Sequence, residues 1–306
     1  MDYDELAQLL GLVYMTFVFL IFISAIVEFW FFDRSKRLMN IGEDKMIAKG
    51  MAVTGLLSGG TAVIAKPISI ATFAFVGAEL AILSIGDINH WYEWIICFLI
   101  YEFSYWLHHC MLHKDRLLWC VHAPHHSPNT INMLVGFNHS FIEALFYMPL
   151  MLGLLPVLMG VDPIIVMAIN ILDFAWGSAL HVSEGMVKKR YGLLEKFLQT
   201  PSYHRAHHAQ NLEYMDTNYN SITLFWDNML GTKAELKDDN PVVYGVTSDV
   251  DTCSYFDTHF GQFKKLWIDV KNAPNLKNKL GYIFMPPGWS HTGEHTTVSA
   301  QKKLTF

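Results

Sequence analysis

Apolar residues run almost unbroken from Leu9 to Phe32, LLGLVYMTFVFLIFISAIVEFWFF. A helix rises about 1.5 Å per residue, so ~20 such residues cross the hydrocarbon core of a bilayer. The run exceeds a signal-peptide core, and the MDYDE ahead of it is acidic where a signal peptide is basic. It predicts a retained membrane helix. Arg34, Lys36, Arg37, Lys45 and Lys49 follow, which places that loop in the cytoplasm and the N-terminus outside. From Met51 to Ile85 the chain is apolar again but interrupted by Lys66-Pro67, so one crossing over Ile68 to Ile85 is expected, with the preceding part shallow or kinked. GDINH then faces outside, and Trp91 to Leu107 returns. Phe141 to Gly160 and Pro163 to Leu180 form an apolar hairpin with GVD at its tip. Counting crossings puts residues 108–140, and everything after His181, on the cytoplasmic side.

From Val182 onward the pattern turns polar and mixed, with loop residues at DDNP and MPPGW and no membrane-length run. The fold class expected is all-α: an integral membrane bundle of about 4–5 transmembrane helices with a cytoplasmic, His-rich helical cap. Three regions are expected: membrane helices over 1–101, a His-rich region over 102–232 that includes the hairpin 141–181, and a cytoplasmic tail over 233–306.

Composition agrees. Hydrophobic residues make up 52% of the chain and charged ones 16%, against about 25% charged in a soluble domain. The net charge of −6 and the lack of a basic stripe exclude nucleic acid as a partner. The four cysteines show no CxxC pairing. They read as small apolar residues in a reducing compartment, not as a disulfide framework.

The 15 histidines change the picture most, because they are clustered. His109 and His113 are spaced i, i+4. His122, His125 and His126, in HAPHH, are spaced i, i+3, i+4, and so are His204, His207 and His208 in HRAHH. Each set falls on one face of a helix. Thr200 or Ser202 caps the last of these helices with Pro201 in its first turn, and Pro124 sits where a first turn tolerates it. His181 ends the last apolar helix. Neutral imidazole is the commonest protein metal ligand. One such spacing is unremarkable as packing; three, all on one expected membrane face, point to metal. Nine candidates suit two ions with four or five nitrogens each, since a zinc ion takes about four ligands. Imidazole alone does not choose among Zn, Cu, Fe and Ni.

These motifs and their order resemble the fatty acid hydroxylase superfamily, whose members include sterol desaturases and alkylglycerol monooxygenase. HCMLH (His109 to His113), HAPHH (His122 to His126), His181 in GSALHVSE, and HRAHH (His204 to His208) follow its pattern, and NYNSITLFWDNMLGT is similar to its closing signature. The likeness runs from about Glu102 to Thr232. Cys110 stands where the family often has arginine. The resemblance implies a di-iron centre that uses O2 and two external electrons to attack a C–H bond of a lipid. The nine histidines would be its ligands, and a separate reductase, cytochrome or ferredoxin-type protein the electron donor. His108 and His139 are candidates for an extra ligand or an outer partner. Glu102, Asn132, Glu184, Asn218 and Asp227 could hold imidazole N–H groups. Glu79 and Asp173, like Glu102, are ionisable groups in or beside apolar helices, where such groups are costly and often functional.

Sterol, fatty acyl chain, ether lipid and carotenoid all satisfy this pattern as substrates, and hydroxylation and desaturation can both begin with hydrogen abstraction. The expected location is the endoplasmic reticulum in a eukaryote or the inner membrane in a bacterium, with the site on the cytoplasmic face. Two alternatives belong to other classes: a histidine-rich metal transporter, whose ligands would line a path across the bilayer, and a membrane zinc hydrolase, for which HExxH would be expected and does not occur.

Overall fold

Long apolar runs become long helices. The computed structural model describes residues 3–28, 31, 41–82, 90–143, 148–188 and 190–305. Among these the structure is all-helical, with only isolated bridges pairing Leu198 with Thr223 and Ala209 with Tyr244. Helix α1 spans Tyr3–Val27, α2 Ile41–Phe75, α3 Trp91–Lys114, α4 Arg116–His126, α5 Met148–Leu158 and α6 Pro163–Leu180. Among the described residues, three segments are long and apolar enough to cross a bilayer: Gln8–Val27, Trp91–Lys114 and Pro163–Leu180. The other crossings expected from sequence, Ile68 to Ile85 and Phe141 to Gly160, extend partly outside the described residues, as does the loop carrying Arg34, Lys36 and Arg37.

One expectation about proline is corrected, and another is made definite. The helix from Ile41 runs through residues 66–67 to Phe75 and continues as a π-helical turn, Val76–Leu80, before ending at Ala81. Proline removes one backbone hydrogen bond, whereas a full break in apolar surroundings would strand several. Pro124 lies in the last turn of α4, not the first. The carbonyl of Pro124 accepts from Asn138 Nδ2 at 2.7 Å, which ties this end of α4 to the next loop.

The core between α3, α5 and α6 is apolar. Cys97 and Tyr101 of α3 pack with Val157, Val161, Ile165, Val166 and Ile169. On the outside, Leu12, Phe19 and Trp91 are left open, as lipid-facing residues would be. Asp115 alone links α3 to α4. It ends one helix in an extended conformation, and its carboxylate caps the next by accepting from the Leu118 N–H at 3.0 Å. That one-residue corner brings the last turns of α3 against α4.

The remaining helices are α7 Pro201–His207, α8 Phe225–Leu230, α9 Tyr255–Asn272, α10 Leu276–Phe284 and α11 Val298–Thr305. Thr200 takes the N-cap position of α7 as expected, but its hydroxyl bonds Glu195 and Ser202 and not the helix N–H groups. The region after residue 233 is not a detached tail. Helices α9 and α10 pack on α4, and Arg116 is held from both sides, its Nη1 donating to Gln262 Oε1 and its N–H to the Met285 carbonyl.

Candidate metal centre

Four elements deliver histidines to one place: the end of α3, helix α4, the C-terminus of α6 and helix α7. They form two adjacent groups. His109, His113, His122, His126 and His207 make the first; His125, His181, His204 and His208 make the second. Within each, one nitrogen per ring lies within 4.8 Å of all the others. All nine rings are buried.

Each HxxHH motif serves both groups. His122 and His126 go to the first and His125 to the second; His204 and His208 go to the second and His207 to the first. Sharing one helix face therefore does not mean sharing one group, and helix geometry gives the reason. Residues i and i+4 project about 40° apart, whereas i+3 is turned about 100° from i+4. The two groups touch where His126 stacks on His208, with ring centroids 4.4 Å apart.

The rings point their Nε2 atoms inward. His126 and His122 bring theirs to 3.1 Å, His181 and His125 to 3.2 Å, His204 and His181 to 2.8 Å, and His208 and His204 to 3.1 Å. Two nitrogens each about 2.1 Å from one ion, at right angles, lie about 3 Å apart. Four of the outward nitrogens are occupied, whereas Nδ1 of His125 has no hydrogen-bond partner. Nδ1 of His109 donates to the Tyr219 carbonyl, that of His181 to Gly177 and that of His207 to Thr217, each at 2.8 Å; Nδ1 of His122 donates to Glu143 Oε1 at 2.9 Å. These acceptors cannot donate, so they fix the proton on Nδ1 and leave a lone pair on Nε2. The buried Nε2 atoms of His109, His113 and His207 have no hydrogen-bond partner. A bound cation satisfies such a set, so the donor chemistry fits a metal.

Electrostatics agree. Burial first, and neighbouring imidazoles after it, hold His125, His126, His204 and His208 well below the usual histidine range. Burial lowers His181 and His207 to about 3. All six are neutral at pH 7, the form that binds metal.

The other candidates fall elsewhere. His108 is buried but belongs to neither group. His139 stacks on His125 at 4.2 Å and places Nδ1 3.3 Å from Glu143. Glu102 holds backbone: its carboxylate accepts from the N–H groups of Ile222 and Thr223, from Asn220 Nδ2 and from the Thr223 hydroxyl. Asp227 accepts from the N–H groups of Tyr219 and Asn220 at 2.9 Å, fixing the carbonyl that receives His109. Asn218, at φ 57°, donates to the carbonyls of Tyr203 and Ala234. Asn132 accepts from the N–H groups of Leu134 and Val135 in a turn, and Glu184 accepts from the Tyr244 hydroxyl. Asp173, fully inside the apolar helices, accepts from the Tyr101 hydroxyl at 3.0 Å.

Sequence reasoning missed Glu143. It is fully buried and reaches His122 and His139 together. The clue was available: NHSFIE puts an acid four residues after a histidine, at the mouth of an apolar hairpin. The carbonyls of Gly177, Thr217 and Tyr219 carry no side-chain pattern and could not have been read.

The profile of the fatty acid hydroxylase family matches residues 94–232. Alkylglycerol monooxygenase of Homo sapiens is 29% identical over 240 residues, 77% of this chain and 51% of that protein. The Xenopus tropicalis alkylglycerol monooxygenase is 28% identical over 228 residues, 73% of this chain and 48% of that protein. The ornithine lipid hydroxylase of Rhizobium tropici is 29% identical over 146 residues, 46% of this chain and 41% of that protein. The chain thus spans about half the length of the alkylglycerol monooxygenases it matches. No solved structure matches. The histidine motifs, in their order, thus fall within the stretch, residues 94–232, over which this chain is similar to the fatty acid hydroxylase family.

Proposed function

We propose that the two histidine groups each hold one iron ion, and that the protein is a membrane-bound oxygenase that hydroxylates a lipid. The observation that carries this is the convergence of nine buried imidazoles into adjacent five- and four-nitrogen sets. Bound iron, with O2 and two electrons from a separate donor protein, supplies the oxidant. The overall balance is one C–H bond and O2, with two electrons and two protons, giving one C–OH bond and one water.

The chain's own residues do the rest. The carbonyls of Tyr219, Gly177 and Thr217 and the carboxylate of Glu143 orient four rings through Nδ1. Asp227 holds Tyr219, and Glu102 pins the following loop to α3. The apolar helices α1, α3 and α6 present the protein to the lipid, and the histidines gather where α3 and α6 end. Charge pattern and crossing parity favour the cytoplasmic side for that end, which a soluble or membrane-tethered reductase can reach. The gathering of both groups at one level argues against a transport path through the bilayer. Relatives named for alkylglycerol and for ornithine lipid favour a polar lipid as substrate, with an ether lipid foremost.

Elemental mass spectrometry of the detergent-purified protein tests this. Near two irons per chain are expected, lost when His204, His207 and His208 are all replaced by alanine. Zinc alone after iron-replete growth, with no lipid-dependent oxygen uptake, would overturn it.

A further inference from the structure

Helix α9 turns an apolar stripe outward. Phe256, Phe260 and Trp267, spaced i, i+4, i+11, fall on one face and are 70%, 40% and 67% exposed. A different face is buried: Thr258, His259, Gln262 and Leu266 turn inward, and Gln262 accepts from Arg116 of α4. Helix α10, packed beside α9, repeats the pattern. Leu276, Leu280 and Phe284 are exposed at spacing i, i+4, i+8, while Gly281 lies against the Trp289 ring. Six large apolar side chains in two adjoining stripes exceed the scattered exposure of an ordinary water-facing surface.

The two helices are held at the level where the membrane-length helices end. At one end α9 meets α2 and the loop before the hairpin: a Cβ on Gly50 would lie 3.0 Å from His259 Nε2 and 2.7 Å from Asn138 Oδ1. The next residue, His139, stacks on His125 of the second histidine group. At the other end the carbonyl of Met285, which follows α10, accepts from the N–H of Arg116, two residues beyond the end of α3.

Lysines border both stripes. Lys264 and Lys271 run along one edge of the α9 stripe, and Lys277 and Lys279 flank that of α10 on either side. None of these four ammonium groups is ion-paired among the described residues. Residues 255–284 carry five lysines against two aspartates, in a chain whose net charge is −6. An apolar face edged by lysines, with an indole in it, is the pattern of a helix lying in a membrane surface: the ring enters the acyl boundary, and the long lysine stems reach out to the headgroups. A bilayer crossed by α3 and α6 is present at this level throughout, whereas a soluble partner would leave both stripes in water between encounters.

We propose that α9 and α10 are seated in the surface of the bilayer that α3 and α6 cross, with their stripes among the upper acyl chains and the four lysines at anionic phospholipid headgroups. The seat needs neither metal nor turnover, so it stands or falls apart from the oxygenase reading.

The test uses the full chain reconstituted in vesicles of phosphatidylcholine and phosphatidylglycerol. The fluorescence lost in Trp267→Phe isolates this indole from the other tryptophans. Phospholipid brominated high on its acyl chains should quench that component, and aqueous acrylamide should leave it nearly unquenched. Combining Lys264→Glu, Lys271→Glu, Lys277→Glu and Lys279→Glu, with thermal melting in detergent unchanged, should remove most of the quenching by brominated lipid. A Trp267 component open to acrylamide and untouched by brominated lipid would overturn the proposal in favour of a soluble partner. Shielding from both quenchers would overturn it in favour of a second copy of the chain. Equal lipid quenching with and without the four lysines would overturn their assignment to anionic headgroups.

Discussion

Replacing Glu143 by leucine removes the acceptor that fixes His122. In the native protein Nδ1 of His122 donates to Glu143 at 2.9 Å, both groups are buried, and Nε2 is left free toward the first histidine group. Leucine leaves that Nδ1–H buried without a partner, which costs about 1–3 kcal/mol. The ring escapes the cost by moving its proton to Nε2, and that tautomer cannot bind metal. Loss of such an outer partner weakens metal affinity about 10–100-fold, or about 1.4–2.7 kcal/mol. Glu143→Gln keeps a carbonyl oxygen that can still accept and loses only the charge, so its effect should sit near the lower bound and that of leucine near the upper. A chelator titration followed by elemental mass spectrometry reads this directly. One iron of the two should leave early, because His122 belongs to only one group. Glu143→Leu protein that keeps both irons up to the wild-type chelator concentration would refute the reasoning.

Three further outcomes are expected. His204→Ala with His208→Ala should retain about one iron, since the five-histidine group is untouched, whereas adding His207→Ala should strip both; equal iron content in the two variants contradicts the division of the motifs. At Gly136 a Cβ would lie 3.0 Å from His181 Nδ1, so Gly136→Ala should displace that ring and loosen the iron of the four-histidine group, and an unchanged chelator curve would count against it. His181 and His207 are held down to about 3, against about 6.5 in an unfolded chain. The unfolded state therefore takes up their protons first, so their stabilising contribution is intact above about pH 6.5 and is lost as the pH falls toward about 3. Melting of the metal-free protein should drop steadily from pH 7 to pH 4; a flat profile would contradict the burial of these rings.

Much of the site was legible in the sequence because helical spacing is a strong constraint. HCMLH, HAPHH and HRAHH announced three histidine-bearing helical faces, and the structure gathers their histidines with His181 into sets of five and four. What the spacing did not convey was the direction of each ring. A face wide enough to hold i, i+3 and i+4 can be shared between two centres, and only the packing of α4 against α7 decides the sharing. Glu143 escaped because a single acid beside an apolar run has many ordinary explanations. Glu102 was among the acids that could hold an imidazole N–H group, and in the structure its carboxylate holds backbone N–H groups. In the fold, the long apolar runs predicted helices directly. The chain stays helical through residues 66–67 because continuing a helix past one proline strands fewer backbone groups than stopping. The packing of α9 and α10 on α4 was invisible, since it depends on contacts between residues more than a hundred positions apart.

The exchange of middle histidines between the two motifs has a consequence for biosynthesis. Neither group is complete until the last of its members has been made: His207 closes one and His208 the other. At a synthesis rate of about 5–20 residues per second, roughly 4–16 s separate His126 from His208 on the ribosome. Until His204 is made, the nascent chain carries at most four imidazoles of one set and two of the other. Both pockets then close within one residue of each other, as α7 docks. Neither group can therefore be full before the chain has been made through α7.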